Sequence, residues 1–188
     1  SSRRTRAPAS AAISAADAGA RVLLLEKAER PGGISICSAG GVRIARDADA
    51  AFRYLQVTNA GTAPDETLRA LADGMASVAP FVQSLADAAG AGTTTNWVSA
   101  NYPFEGGDAF GYIAIRDVRG FEPARDFSWA RGLRGGARLF KVMWDNVARR
   151  PGIVVKLGHA AERLLVEDGR VAGLRVRNGE GAVRDVRA

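Results

Sequence analysis

The chain is poor in the residues that metal centres and covalent cross-links require. Its 188 residues include one cysteine, Cys37, and one histidine, His159. A single cysteine excludes an internal disulfide and a thiolate cluster, and a single histidine excludes a histidine-based metal site. We therefore expect no metal. A reducing, cytoplasmic compartment is the ordinary setting for such a chain.

The sequence also lacks a long apolar run and a concentrated basic region. No stretch reaches the roughly 18 apolar residues of a membrane helix, so no membrane span is expected. The net charge is +6, from 26 basic and 20 acidic residues, which would suit a nucleic-acid binder. The basic residues are scattered among acids and cluster only at 3–6, so we expect no nucleic-acid partner. A surface that attracts an anionic substrate or cofactor matches this charge pattern better, and a surface bias without any function matches it best.

The most informative stretch of the chain is 21–41, with the sequence RVLLLEKAERPGGISICSAGG. Its apolar run VLLL predicts a strand buried on both faces, as in a parallel sheet. Glu26 follows at the strand end, where a carboxylate can accept hydrogen bonds from ribose hydroxyls. Paired glycines at 32–33 and 40–41 allow close approach of backbone N–H groups to phosphate. A solvated charge and two ordinary tight turns are the alternative interpretation.

Glycine is missing where a nucleotide-binding turn is expected. Residues 11–18 predict a helix of small residues that ends at Gly19 and leads into the strand, which is the αβ half of a βαβ unit. The first strand and its Gly-rich turn should precede Ala11, but residues 1–10 contain no glycine. We expect 1–10 to be a disordered tail.

The remainder of the chain predicts helices followed by strands. Helical periodicity covers 47–60, 64–89 and 133–150, whereas the aromatic-rich segment 92–130 predicts irregular loops with short strands. Four strand-like runs follow from 153 to 187. The dipeptides Asp168-Gly169 and Asn178-Gly179 are strong tight-turn signals between them. The sequence therefore predicts an α/β protein that ends in a β-meander.

Two segments resemble the fumarate reductase/succinate dehydrogenase flavoprotein family, which includes 3-ketosteroid dehydrogenases. They are AAISAADAGARVLLLEKAERPGGISICSAGG and IVVKLGHAAERLLVEDGRVAGLRV, and a helix preceded by GLRGGA fits between them. The resemblance implies an incomplete Rossmann-like FAD-binding domain, truncated at both ends. It divides into an αβ cofactor segment at 11–46, a mainly helical insertion at 47–150, and a strand with the β-meander at 151–188. The family's substrate-capping domain would be absent.

The resemblance implies that FAD is the cofactor and assigns residues to its adenosine half. Glu26 would hold the ribose of the ADP portion, with Lys27 beside it. Ala161 would present backbone groups to the adenine. The residues implied to approach the pyrophosphate and ribityl portion are Gly32, Gly33 and Ser35. Those implied to line the flavin side are Ser38, Gly40 and Gly41.

The family also implies a reaction. The parent enzyme would pass a hydride between flavin and a C–C bond next to a carbonyl or carboxylate of a small-molecule substrate, with catalytic residues that this sequence does not identify. Because the GxGxxG turn is missing, weak flavin retention and no turnover are expected of the chain. The alternative is a non-redox nucleotide-binding or structural α/β module. The oligomeric state is left open.

Overall fold

Residues 9–33 and 144–188, far apart in the sequence, pack together in the computed structural model. We call them the terminal unit. Residues 34–143 form a second unit, the central unit. The structure describes residues 9–130 and 134–188. Residues 1–8 of the predicted tail lie outside the described residues, and Ala9 and Ser10 are helical.

The terminal unit begins with a helix and a parallel pair of strands. Helix α1 is Ala9–Asp17, strand β1 is Val22–Leu25 and strand β5 is Ile153–Lys156. In the parallel register, Val22 lies opposite Ile153. The predicted αβ unit is therefore confirmed. Burial on both faces is wrong for Leu23, which is 37% exposed, because the described part of this sheet has only two strands.

A three-stranded antiparallel meander completes the terminal unit. Its strands are β6 (His159–Glu167), β7 (Arg170–Asn178) and β8 (Val183–Arg187), in that order across the sheet. Asp168 and Gly169 both have positive φ in the first turn, as a tight hairpin requires. The Asn178 side chain accepts a hydrogen bond from the N–H of Ala182 in the second turn. The predicted meander is thus confirmed.

The central unit packs helices against an antiparallel sheet. Its strands are β2 (Gly41–Ala45), β3 (Ala91–Trp97) and β4 (Phe110–Val118), with β4 in the middle. Its helices are α2 (Ala48–Asn59), α3 (Asp65–Ala88) and the short α4 (Pro123–Asp126). Helix α5 (Arg134–Ala148) begins in this unit. The core residues packed between sheet and helices are Ala45, Ala51, Tyr54, Ala72, Met75 and Phe110.

Two features of the central unit differ from the sequence-based expectation. The sequence does not predict strand β2, because a five-residue run containing glycine and arginine gives a weak strand signal. Strand β4 is nine residues long within the segment expected to be irregular. The alternation of side chains along β4 is interrupted at Gly111, which carries none. A Cβ at this position would lie only 2.6 Å from Cε3 of Trp97. The segment 47–150 therefore holds α2 to α5 together with β3 and β4.

Acid should weaken one local ion pair of the central unit. Hydrogen bonds from the Arg125 guanidinium, and one from the N–H of Glu122, lower the pKa of Asp126 from 3.8 to about 2. A depressed folded-state pKa gives stability that is present above the unfolded value and is lost as the pH falls through the folded value. We expect Asp126→Asn to reduce the pH dependence of the unfolding free energy between pH 3.8 and about 2.

Urea denaturation at a series of pH values would measure this effect. Asp168→Asn is the matched control, since Asp168 sits in the β6–β7 turn and has no ion-pair partner in the described parts of the chain. If Asp126→Asn and wild type showed the same pH dependence, the Arg125–Asp126 contact would not exist in solution.

Candidate functional site

The backbone of Glu26 is fixed between two strands. Its N–H donates to the carbonyl of Lys156 at 3.0 Å, and its own carbonyl accepts from the N–H of His159 at 2.9 Å. One residue thus joins the end of β1 to the end of β5 and the start of β6. The position of the acidic side chain is therefore set by sheet pairing.

The Glu26 carboxylate uses one of its oxygens within its own loop. Oε1 accepts a hydrogen bond from the N–H of Ala28 at 2.8 Å, and the carbonyl of Ala28 accepts from the N–H of Gly158 at 3.0 Å. Glu26 is half-buried, whereas Lys27 is exposed. The second carboxylate oxygen has no hydrogen bond to any residue that the structure describes. It is free to accept one from a ligand hydroxyl, and this acceptor fits the ribose of an adenine nucleotide.

Ala161 lies on β6, whose first residue, His159, is hydrogen-bonded to Glu26. It is the third residue of β6, pairs with Val176 of β7, and is exposed. The pairing shifts register between Ala161 and Arg163. The structure therefore places the predicted ribose residue directly after β1 and the predicted adenine residue on β6, which Glu26 contacts through the N–H of His159. Sequence reasoning missed the part that Gly158 and His159 play in positioning the Glu26 loop. They act through their backbone N–H groups, which give no side-chain signal in the sequence.

Gly32 and Gly33 form an open turn after this strand end. Their φ angles are +118° and +51°, values that favour glycine. A Cβ on Gly33 would meet nothing within 4 Å. The backbone conformation favours glycine at position 33 without any steric need for it, and the space next to it is open to a ligand.

The two predicted serines belong to a tight turn of the central unit. Ser35 begins the 3-10 helix Ser35–Cys37. The Ser38 hydroxyl donates to the carbonyl of Ser35 at 2.8 Å and accepts from the N–H of Gly40 at 3.2 Å. This hydroxyl therefore stabilises the turn. Any role for Ser35 and Ser38 toward a cofactor stays a prediction.

Gly40 lies against the beginning of α5. A Cβ on Gly40 would come 2.2 Å from the carbonyl carbon and oxygen of Gly135, and one on Gly135 would come 1.9 Å from the carbonyl oxygen of Ala39. The N–H of Gly136 donates to the carbonyl of Ser38 at 2.8 Å. Close backbone packing accounts for glycine at position 40. The sequence signal for this close packing is that glycine pairs stand at both 40–41 and 135–136.

One groove of the described chain is separate from the predicted cofactor residues. It has a volume of about 690 Å³ and is lined by residues 99–108. Consecutive residues of the β3–β4 connection form it, so it is the concave side of one loop. Within 9–130 and 134–188, no group of His, Cys, Asp and Glu side chains is arranged to hold a metal ion. None of the described helices has the length and apolarity to cross a bilayer.

The close packing of Gly40 against Gly135 leads to a prediction about stability. We expect Gly40→Ala to destabilise the protein by about 3 kcal/mol, from overpacking of about 1–3 kcal/mol and a left-handed conformation that costs a methyl-bearing residue about 1 kcal/mol. Gly120→Ala is the control, because Gly120 has a similar φ of +72° with no atom within 4 Å of a Cβ. It should cost about 1 kcal/mol. Equal losses in thermal or urea unfolding would contradict the close approach of Gly40 to α5.

Comparison with known proteins gives a family and a fold. A family model described as an FAD binding domain matches residues 7–188. The chain is similar in structure to a 3-ketosteroid-Δ4-(5α)-dehydrogenase from Rhodococcus jostii RHA1, solved in complex with 4-androstene-3,17-dione. The TM-score is 0.73 at 17% identity, over 96% of this chain and 41% of that one. No curated protein matches the chain.

A second similarity is weaker. It is to the myxobacterial chondrochloren halogenase CndH, an FAD-dependent halogenase, with a TM-score of 0.41 at 19% identity over 96% of this chain and 32% of that chain. A score this low does not establish a shared fold. The chain spans about two fifths of the length of the dehydrogenase and a third of that of the halogenase.

Proposed function

This chain belongs to the FAD binding domain family of FAD-dependent oxidoreductases, and we propose that the Glu26 strand end holds the adenosine half of its FAD. The observation that carries this proposal is the free oxygen of the Glu26 carboxylate, at a backbone position fixed by hydrogen bonds to Lys156 and His159. Ionised acceptors bind hydroxyl donors more strongly than neutral acceptors do. Ala161 would then meet the adenine from the adjoining strand.

We further propose that the other predicted residues serve the remainder of the cofactor. The open turn at Gly32 and Gly33 supports contact with the pyrophosphate. The residues proposed to follow along the ribityl and flavin portions are Ser35, Ser38, Gly40 and Gly41, and Lys27 would lie beside the ribose. When bound, FAD supplies the hydride chemistry, and the protein supplies position and electrostatics.

The reaction class is also a proposal. We propose that the full enzyme reduces or dehydrogenates a C–C bond next to a carbonyl or carboxylate. The fold shared with a dehydrogenase of 3-ketosteroids, together with the sequence segments similar to fumarate reductases, supports this class. In this view residues 47–150 form an insertion within the cofactor domain.

Replacing Glu26 should weaken binding of the adenosine half specifically. Glu26→Gln keeps an oxygen for the N–H of Ala28 but removes the charge that strengthens the bond to ribose. We expect about tenfold weaker binding of FAD and ADP, as for loss of one charge-assisted hydrogen bond. Binding of FMN, which has no adenosine ribose, should be unchanged. Flavin fluorescence and calorimetry would measure the three affinities.

Glu29→Gln is the matched control, since it removes the same charge from an exposed position three residues further along the chain. Equal effects of the two substitutions on FAD would mean that only the general electrostatic field had changed. Equal affinity of wild type for FAD and ADP would favour the non-redox nucleotide-binding module.

The reaction class can be tested on the chain loaded with FAD. We expect 4-androstene-3,17-dione or fumarate to change the visible spectrum of the bound flavin, because a conjugated carbonyl or carboxylate compound would stack against it. Succinamide, which has neither the conjugated double bond nor a charge, is the control. If neither unsaturated compound changes the spectrum more than succinamide does, the proposed substrate class is wrong.

A further inference from the structure

Arg43 is held in place by aromatic rings on the surface of the central sheet. It lies on β2 directly opposite Tyr112 of β4. Its guanidinium carbon is 4.6 Å from the centre of the Tyr112 ring and 4.8 Å from that of Phe110. Both distances are within the range of a cation–π contact. Phe110 is buried and fixes one side of this arrangement.

The charge of Arg43 is not neutralised by any carboxylate in the described parts of the chain. Arg69, Arg125 and Arg175 each form a hydrogen-bonded ion pair with an aspartate. Arg43 is half-buried and has only aromatic partners there. A ring face attracts the cation and leaves its N–H donors free. Arg43 therefore presents a positioned guanidinium whose hydrogen-bonding edge is unused.

We propose that Arg43, supported by Tyr112, binds the carboxylate of a small molecule. The planar guanidinium matches a carboxylate in a bidentate arrangement, which gives both strength and orientation. Tyr112 is 40% exposed, so a ligand can reach this face of the sheet. That this carboxylate belongs to the substrate of the oxidoreductase rests on the proposed function.

The position of the pair supports a substrate role. Gly41, proposed above to line the flavin side, lies two residues before Arg43 on β2. A Cβ on Gly41 would be 3.1 Å from Cδ1 of Tyr112, so the ring packs against the Gly41 backbone. The guanidinium, the ring and this glycine form one continuous surface of the central unit.

The direct test observes Arg43 in the wild-type chain without flavin. Succinate would be titrated while the Nε–H resonance of Arg43 is followed by NMR, with succinamide as the uncharged control and inorganic phosphate as the tetrahedral anion. We expect a saturable shift with succinate, weaker binding of phosphate, and no shift with succinamide. The absence of a succinate-dependent shift, or tighter binding of phosphate, would overturn the carboxylate assignment.

Variants separate this site from the FAD site. We expect Arg43→Met to weaken succinate binding about tenfold and Arg43→Lys to weaken it less, with FAD affinity unchanged in both. Arg116→Met is the control, because Arg116 is an exposed arginine on β4 that has Asp117 3.7 Å away. If Arg43→Met lowered FAD affinity and left succinate affinity unchanged, Arg43 would be a cofactor residue and the inference would be wrong.

The two proposals fail in different ways. Succinate binding at Arg43 in a chain that does not bind FAD would support the carboxylate site and overturn the proposed cofactor function. FAD binding that depends on Glu26, in a chain whose Arg43 resonance does not shift with succinate, would support the proposed cofactor function and overturn the carboxylate site.

Discussion

The parallel pairing of β1 with β5 is the constraint on which the proposed cofactor residues of the terminal unit depend. Parallel neighbours need a crossover connection, and here the entire central unit lies in the connection between the two strands. Arg150, which lies just before β5, donates two hydrogen bonds to Asp17 at the end of α1, at 2.7 and 2.8 Å, and so ties the two ends of this unit together. Only when this pairing forms does Glu26 meet Lys156 and His159. The carboxylate that we propose for the ribose is therefore positioned by a contact between distant parts of the chain.

Glycines serve two different purposes in the predicted site. Gly33 has open space where a Cβ would point, so its conformation leaves room for a ligand. A Cβ on Gly40 would clash with the backbone of Gly135, so the absence of a side chain at position 40 is needed for packing onto α5. The Ser38 hydroxyl is likewise engaged within its own turn. The structure therefore gives stronger support to the adenosine and pyrophosphate residues than to those proposed for the flavin side.

The sequence predicted those elements whose signals are local. Helices α2 and α3 follow from their 3.6-residue periodicity, and the Asp47 side chain caps α2 by accepting from the N–H of Ala50. The meander follows from its Asp-Gly and Asn-Gly turns. The sequence did not predict the full length of strand β4, because Gly111 carries no side chain where the strand packs against Trp97. The contacts of Glu26 with β5 and β6 were hidden because backbone atoms make them, whatever side chains those residues carry.

The arrangement of arginines matters more than the net charge of +6. A carboxylate partner neutralises the guanidinium and occupies its N–H donors, as Asp185 does for Arg175. An aromatic partner restrains the side chain but leaves both the charge and the donors available. Of the arginines described, Arg43 is held over two rings and has no carboxylate partner. Arg46, which lies over the Trp97 ring at 4.4 Å, is held in the same way by one ring. Arg43 differs from it in having two rings and in lying two residues after Gly41, and for this reason we proposed Arg43 for the carboxylate site.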